Sequence, residues 1–251
     1  MLTATFIHAS GVGPATERRI WESGIAHWED FLSAHENVKL SVVQRAVLLD
    51  TIPASVERLK EGDYGFFSKM LPAKEHWRAY DEFGHSVAYV DIETTGMGCE
   101  DSITVIGLYD GREMKQFVRN FNMQDFANEV ERYSMLVTFF GTAFDLPRIR
   151  ERFPYLHLDQ LHVDLCFAMR RLGLTGGLKR IEEQLGLSRS PETKGLDGWD
   201  AVRLWYEFQK GSQEALHLLL KYNEEDVIHL KTLMDYAYTA LRRRCFCVTE
   251  K

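Results

Sequence analysis

The strongest constraint on the fold is a short apolar run that ends in two closely spaced carboxylates. Residues 87–90 (VAYV) are typical of a β-strand buried on both faces, and Asp91 and Glu93 follow directly. Side chains at positions i and i+2 of a strand point to the same face, so these like charges would repel each other. A divalent cation between them would remove the conflict, whereas the alternative is an acidic strand end that is exposed to solvent.

Two further acidic positions follow along the chain. Asp145 comes after a second apolar run at 135–139, and by itself it indicates a helix cap because Pro147 follows it. Tyr222 and Asp226 are four residues apart in a helical pattern, so they share one face of that helix. By themselves they are compatible with a functional site or with a partly exposed tyrosine–aspartate pair.

The composition is that of an ordinary globular protein. Of the 251 residues 45% are hydrophobic, and we find neither a secretory signal nor an apolar stretch long enough to cross a bilayer. The cysteines lack zinc-finger spacing, so we expect reduced thiols, no zinc site and a cytoplasmic location. These cysteines are Cys99, Cys166, Cys245 and Cys247.

The net charge of −7 argues against a protein that coats nucleic acid without specificity. It leaves room for an acidic site that meets phosphate through bound cations. Any basic track must therefore be local, formed by the arginines at 148, 150 and 152 or by Lys179 and Arg180. The alternative is that these residues lie on solvated helix faces.

The first part of the chain is predicted to be a small helical region over residues 1–75. Gly11 and Gly13 form a turn before an amphipathic helix that ends at Gly24, and this element resembles a helix-hairpin-helix. The backbone N–H groups of such a turn bind phosphate in some proteins and make a packing corner in others. Further helices are predicted at 25–34, 41–49 and 53–59, the last two separated by Pro53.

A second domain is predicted over 84–240, with the boundary in the segment 69–84. It begins with three strands, of which the second and third are joined by the hairpin turn at 110–111, and then alternates into helices. This order predicts an α/β fold with a mixed sheet flanked by helices. The predicted strands are 86–93, 102–109, 113–119 and 135–139, and the predicted helices are 125–133, 165–172, 176–185, 198–209 and 213–238.

Taken together, the acidic positions form one pattern. Asp-x-Glu lies on the first strand, an aromatic residue precedes Asp145, and Tyr-x3-Asp lies on a C-terminal helix. The pattern resembles that of the DEDD, or DnaQ-like, 3′–5′ exonucleases with a ribonuclease H-like fold, in the variety whose third motif carries tyrosine. Residues 177–187 (GLKRIEEQLGL) and 222–227 (YNEEDV) extend the resemblance to the YprB-like subgroup, over roughly 84–238.

The resemblance implies a site for two Mg²⁺ or Mn²⁺ ions. Asp91, Glu93 and Asp226 would ligate one ion, and Asp91 would bridge to a second ion that Asp145 holds. Tyr222 would orient the attacking water and help to deprotonate it. The implied partner is the 3′ end of DNA or RNA, and no membrane partner is expected.

The resemblance also implies substrate contacts, and one residue departs from it. Thr94 would contact the terminal nucleotide. Phe144 would either stack on a base or pack under the site, and packing is the preferred alternative. The second motif of the family usually begins with asparagine four residues before the aromatic residue, where this chain has Phe140. All four carboxylates remain, so an active enzyme is expected.

Two alternatives to an exonuclease stay open at this point. One is a nucleic-acid-binding scaffold that has lost catalysis, and the other is an endonuclease that uses the same carboxylates. Trp199 and Trp205 are interpreted as core residues, and no pair of histidines has the spacing of a metal site.

Overall fold

The computed structural model describes residues 1–96 and 103–246 and separates them into two compact units. The first unit comprises residues 1–85, 159–163 and 238–251, and the second comprises 86–158 and 164–237. Cys99, Cys247 and Ser102, the predicted start of the second strand, lie outside the described residues. None of the helices in the described ranges is long and apolar enough to cross a membrane.

The first unit is mostly helical. Its first α-helix begins where Pro14 predicts and ends just before Gly24, as that glycine predicts. Pro14 occupies the first turn, and Gly24, just after the C-cap Ser23, adopts φ +88°. The second helix begins three residues later than predicted, at Trp28. The helices of this unit are α1 (Pro14–Glu22), α2 (Trp28–Ala34), α3 (Val42–Lys60), α4 (Tyr64–Met70) and α5 (Tyr80–Phe83).

The prediction that Pro53 separates two helices is wrong, because α3 continues through it. A proline within a helix removes one backbone hydrogen bond, and that loss is local. Leu48, Ile52 and Ser55 are all fully buried, so the same face of the helix continues into the core on both sides of the proline. Burial of this face outweighs the missing bond.

The segment 69–84, in which the domain boundary is predicted, is folded as part of the first unit, and the first stretch of that unit ends at residue 85. It contains a 3₁₀ turn at Ala73–Ala79 followed by α5, and Trp77 and Arg78 within it are buried. Arg78 donates from Nη1 to both carboxylate oxygens of Glu17 at 2.9 Å and from Nε to Glu75 at 2.8 Å. Arg78 and Glu75 thus lie in the interior of the first unit.

The strands of the second unit form a sheet in the order β3-β2-β1-β4. β1 lies at its centre, antiparallel to β2 and parallel to β4, and β2 pairs with β3 in a hairpin. This mixed sheet with helices around it confirms the predicted α/β fold class. The strands are β1 (Val87–Thr94), β2 (Ile103–Tyr109), β3 (Met114–Val118), β4 (Met135–Thr138) and the unpredicted β5 (Leu161–Asp164).

Helices cover both faces of the sheet of the second unit, and each face has its own buried apolar cluster. The first cluster joins Val90 and Ile106 of the sheet to Phe126 and Phe153. The second joins Val105 to Leu204 and Trp205. The last helix starts as predicted but continues to Cys245. The helices are α6 (Asp125–Val130), α7 (Asp145–Arg152), α8 (Leu165–Arg171), α9 (Leu178–Gln184), α10 (Gly198–Gln209) and α11 (Gln213–Cys245).

Candidate active site

The acidic end of β1 meets an acid from α11. Asp91 and Glu93 lie opposite Gly107 and Val105 of β2, and a register shift follows at the next residue. Ligand oxygens of Asp91, Glu93 and Asp226 all lie within 4.8 Å of one another. Among the described residues this is the one group of acids, histidines or cysteines that has the geometry of a metal site.

Gly107 allows α11 to approach the sheet closely enough to bring Asp226 into this group. A Cβ atom at position 107 would lie 2.2 Å from Oδ1 of Asn223 and 2.7 Å from a methyl carbon of Val227. Asn223 is fully buried, and its amide group donates to Oδ2 of Asp91 at 3.3 Å. The glycine therefore places the helix, and the asparagine orients the first carboxylate.

Asp145 reaches the same site from the start of α7. Its carboxylate is buried and accepts a hydrogen bond from the backbone N–H of Ile92, between the two acids of β1, at 3.2 Å. The helix begins at Asp145 itself, with Phe144 at the N-cap position and no capping bond from its side chain. The interpretation of Asp145 as a helix cap is therefore wrong, and its carboxylate bonds to the central strand instead.

Burial and mutual repulsion make these carboxylates hard to ionise. Desolvation, followed by the charges of Asp145, Asp226 and Glu93, raises the pKa of Asp91 well above its usual value. Desolvation also raises the pKa of Glu93, and it raises that of Asp145 to about 7. Glu93 Oε1 has no hydrogen-bond partner in the described part of the chain. These closely spaced oxygens carry more negative charge than the neighbouring Lys179 and Arg189 side chains offset, so the set fits a divalent cation.

Tyr222 lies one helical turn before Asp226 and faces the same site. Its hydroxyl accepts a hydrogen bond from Lys179 Nζ at 2.8 Å, and the same ammonium lies 4.4 Å from the centre of its ring. Burial and the neighbouring carboxylates raise the pKa of Tyr222. Lys179 is half-buried beside Tyr222, whereas Arg180 is exposed.

A buried arginine also reaches the site, and no sequence pattern pointed to it. Arg189 pairs with Asp226 and forms two hydrogen bonds with Glu182, each of 2.7 Å. Glu182 in turn lies 3.0 Å from His229 Nδ1. Desolvation raises the pKa of Asp226, and the Arg189 charge opposes this effect. Arg189 thus holds one of the four carboxylates and leaves the others without a cationic hydrogen-bond donor among the contacts of the described residues.

A cavity of about 400 Å³ opens over the carboxylates. Asp91, Glu93 and Asp226 form one part of its lining, and Thr94 and Phe144 lie along its wall. The Thr94 hydroxyl donates to the carbonyl oxygen of Gly96 at 2.8 Å, and Phe144 packs partly against the core. The substrate contacts of these two residues stay a prediction.

Trp199 lines the same cavity, and its interpretation as a core residue is wrong. Its side chain is 67% exposed, whereas Trp205 is 1% exposed. Six residues on a helix of 3.6 residues per turn correspond to a rotation of about 240°, so the two indoles face different directions. Trp205 packs beside the sheet, and Trp199 faces the cavity.

The remaining predicted substrate residues, Gly11 and Gly13, belong to the first unit. Gly11 adopts φ +75°, and its carbonyl oxygen accepts a hydrogen bond from the side chain of Gln44 at 3.3 Å. Phosphate binding by this turn stays a prediction. In the second unit the guanidinium of Arg148 lies 3.8 Å from the ring centre of Phe144, and Arg150 and Arg152 are exposed.

Phe140, at the position where the family pattern has asparagine, has an unusual backbone. It adopts φ +64°, a conformation that Asn tolerates better than an aromatic residue, and its side chain is 46% exposed. Asp164 fixes this loop, because its carboxylate accepts hydrogen bonds from the N–H groups of Phe140 at 2.8 Å and Thr142 at 3.0 Å. The loop that leads to Asp145 therefore keeps a defined shape.

The match to a family model agrees with this fold. A family model described as the RNase H superfamily matches residues 88–238. One similar solved structure is the family B DNA polymerase from the hyperthermophilic archaeon Pyrobaculum calidifontis, with a TM-score of 0.45 and 18% sequence identity. The similarity covers 63% of this chain and 24% of the polymerase chain. No curated protein matches this sequence.

Proposed function

This chain belongs to the RNase H superfamily, and we propose that it is a two-metal-ion nuclease that removes nucleotides from the 3′ end of DNA or RNA. The observation that carries the proposal is the group formed by Asp91, Glu93 and Asp226, whose oxygens lie within 4.8 Å of one another beside an open cavity. Buried carboxylates without counter-charges are unfavourable unless a cation joins them.

The donor set is composed of oxygen atoms, which Mg²⁺ and Mn²⁺ prefer. Asp91, Glu93 and Asp226 would hold one ion, and Asp91 and Asp145 would hold the second. Two such ions would supply positive charge that stabilises the attacking and leaving oxygens of in-line displacement at phosphorus. Asn223 keeps Asp91 in place, and the backbone N–H of Ile92 does the same for Asp145.

Tyr222 positions the attacking water by a hydrogen bond from its place in the cavity wall. Burial and the carboxylates raise its pKa, so the hydroxyl stays protonated and its main contribution is orientation. Lys179 fixes the phenol through its hydrogen bond to the hydroxyl. Thr94 and Phe144 contact the terminal nucleotide from the wall of the cavity.

The test is digestion of single-stranded DNA and RNA that carry a label at the 5′ end, with Mg²⁺, Mn²⁺ or EDTA. We expect a ladder that shortens from the 3′ end and disappears in EDTA. The variant Asp91→Asn keeps the shape of the side chain and removes its charge, so cleavage should fall at least about 1,000-fold.

The matched control is Glu224→Gln, an equivalent change on α11 outside the carboxylate group. Its cleavage rate should equal that of the unchanged protein. A ladder that also arises from a circular substrate would assign endonuclease activity to the same residues. Absence of cleavage on every substrate, by folded protein with either metal, would reject the proposal.

A second candidate function is nucleic-acid binding without hydrolysis, and the pair between Arg189 and Asp226 favours it. The guanidinium supplies positive charge to a carboxylate that the nuclease needs for metal. Calorimetric titration with Mn²⁺ separates the two functions, because the nuclease requires metal binding that Asp91→Asn weakens. Oligonucleotide binding without any heat of metal binding would support the second candidate.

A further inference from the structure

We propose that Trp199 is a stacking platform for the terminal nucleobase, so that the nuclease acts on an unpaired 3′ end. This inference rests on the proposed function and adds the conformation of the substrate. The starting observation is that the indole of Trp199 is 67% exposed, whereas the other four tryptophans of the chain are at most 4% exposed. An exposed indole that lines a cavity offers an aromatic face to a ligand in that cavity.

The indole is held on a rigid support. Trp199 lies in the first turn of α10, whose residues Ala201, Leu204 and Trp205 are buried beside the sheet. Asp197 and Asp200 cap this helix reciprocally, and the Asp197 carboxylate accepts hydrogen bonds from the N–H groups of Trp199 at 2.8 Å and Asp200 at 3.1 Å. These N–H groups are satisfied, so the group that Trp199 offers to a ligand is its ring.

The position of the ring connects it with the proposed chemistry. Trp199 lines the same cavity of about 400 Å³ as Asp91, Glu93 and Asp226, within the size range of small-ligand sites. Phe144 and Val202 continue the apolar part of the wall. An apolar wall beside an acidic metal site matches a nucleotide, which has an apolar base face beside a phosphate.

Stacking on an aromatic side chain has consequences for the substrate. Every base has a π-face, so such a platform accepts all bases, but only a base that has left its partner can present that face fully. We therefore expect cleavage of single strands and frayed ends to exceed cleavage of blunt duplexes. In a blunt duplex the terminal base must first unpair and unstack, which costs free energy.

The chain offers a direct probe of this contact. Because the other four indoles are buried, acrylamide quenching of tryptophan fluorescence reports mainly on Trp199. The measurement uses the full chain in EDTA and a single-stranded oligothymidylate, compared with the same oligonucleotide whose last nucleotide lacks its base. The complete oligonucleotide should shield the indole from acrylamide and bind about 5- to 100-fold more tightly than the abasic one.

Two variants assign this difference to the ring. Trp199→Leu should bind both oligonucleotides equally, and Trp199→Phe should keep much of the preference for the terminal base. With Mg²⁺, Trp199→Leu should raise KM for single strands more than it lowers kcat. The control is Tyr155→Leu, which removes another aromatic side chain, 62% exposed, that does not line the cavity and should leave the preference unchanged.

The results separate this inference from the proposed function. Equal acrylamide quenching with and without saturating oligonucleotide, or an undiminished terminal-base preference in folded Trp199→Leu, would overturn the stacking platform and leave the nuclease intact. The second result would also assign the exposed ring to another occupant, such as a protein. Shielding and base preference without cleavage in any metal would keep the platform and reject the nuclease.

Discussion

The two units of this protein bury charged groups in opposite ways. In the first unit, Arg78 lies between Glu17 and Glu75, and all three side chains are at most 4% exposed. Backbone N–H groups of Phe6 and Ile7 also donate to Glu17. In the second unit, four acids lie close together, and among the described residues their one ion pair joins Arg189 to Asp226. We call the first cluster balanced because each of its carboxylates pairs with the arginine, and the second unbalanced because three of its four carboxylates have no such pair. The balanced cluster supports the fold, and the unbalanced one is available for a cation.

The largest predicted effect comes from unbalancing the first cluster. Arg78→Met keeps the length of the side chain but leaves two buried carboxylates without a counter-charge. We expect a loss of about 3–5 kcal/mol in the free energy of unfolding, measured by denaturant titration.

The control for this prediction is Arg58→Met in the same unit. Arg58 pairs with Glu61 and Asp63 but is 50% exposed, so its loss should change stability by at most about 1 kcal/mol. Equal effects of the two substitutions would show that the buried cluster contributes no more than a surface pair.

The second prediction concerns a buried base beside the balanced cluster. His8 bonds through Nε2 to the Ser55 hydroxyl at 3.0 Å, packs against Trp28 and faces the charge of Arg78. Desolvation by burial, with a contribution from Arg78, lowers the pKa of His8 to about 4. Between pH 6.5 and pH 4, His8 is therefore protonated in the unfolded chain and neutral in the folded chain.

The contribution of His8 is complete above pH 6.5 and declines as the pH falls toward 4. The loss amounts to about 3 kcal/mol over that range, because each pH unit corresponds to about 1.36 kcal/mol. The measurement compares unfolding free energies of the unchanged protein and His8→Gln between pH 7 and pH 4.5. The difference should shrink on acidification, and parallel curves would contradict the shifted pKa.

The smallest predicted effect has the opposite sign and lies in the unbalanced site. Without metal, Asp91→Asn removes one of several repelling buried charges, so stability in EDTA should rise by about 1–2 kcal/mol while cleavage is lost. Glu113→Gln, an exposed acid of the same unit, should leave stability unchanged within about 0.5 kcal/mol. A destabilised Asp91→Asn would mean that the site is already neutralised without metal.

The sequence predicted the strands and acids whose signal is local. The apolar run before Asp91 and the helical spacing of Tyr222 and Asp226 predicted elements that the structure contains, and the fold class is confirmed. The catalytic and metal-binding roles stay predictions. β5 was missed because four residues with a histidine among them carry little strand signal.

The residues that sequence reasoning missed act across long distances in the chain. Arg189 lies outside regular structure, 37 residues before Asp226, so no periodicity connects them. Lys179 contacts Tyr222 over 43 residues in the same way. The interpretation of Trp199 as a core residue was an avoidable error, because its spacing from Trp205 already placed the two side chains on different helix faces.

The clamp of Asp164 on the loop at Phe140 has a consequence for the evolution of this site. The left-handed backbone there is imposed by a carboxylate 24 residues away and not by the residue that occupies the position. Side chains at position 140 can therefore be exchanged while the loop that leads to Asp145 keeps its course. An asparagine reintroduced there would find its backbone conformation already in place.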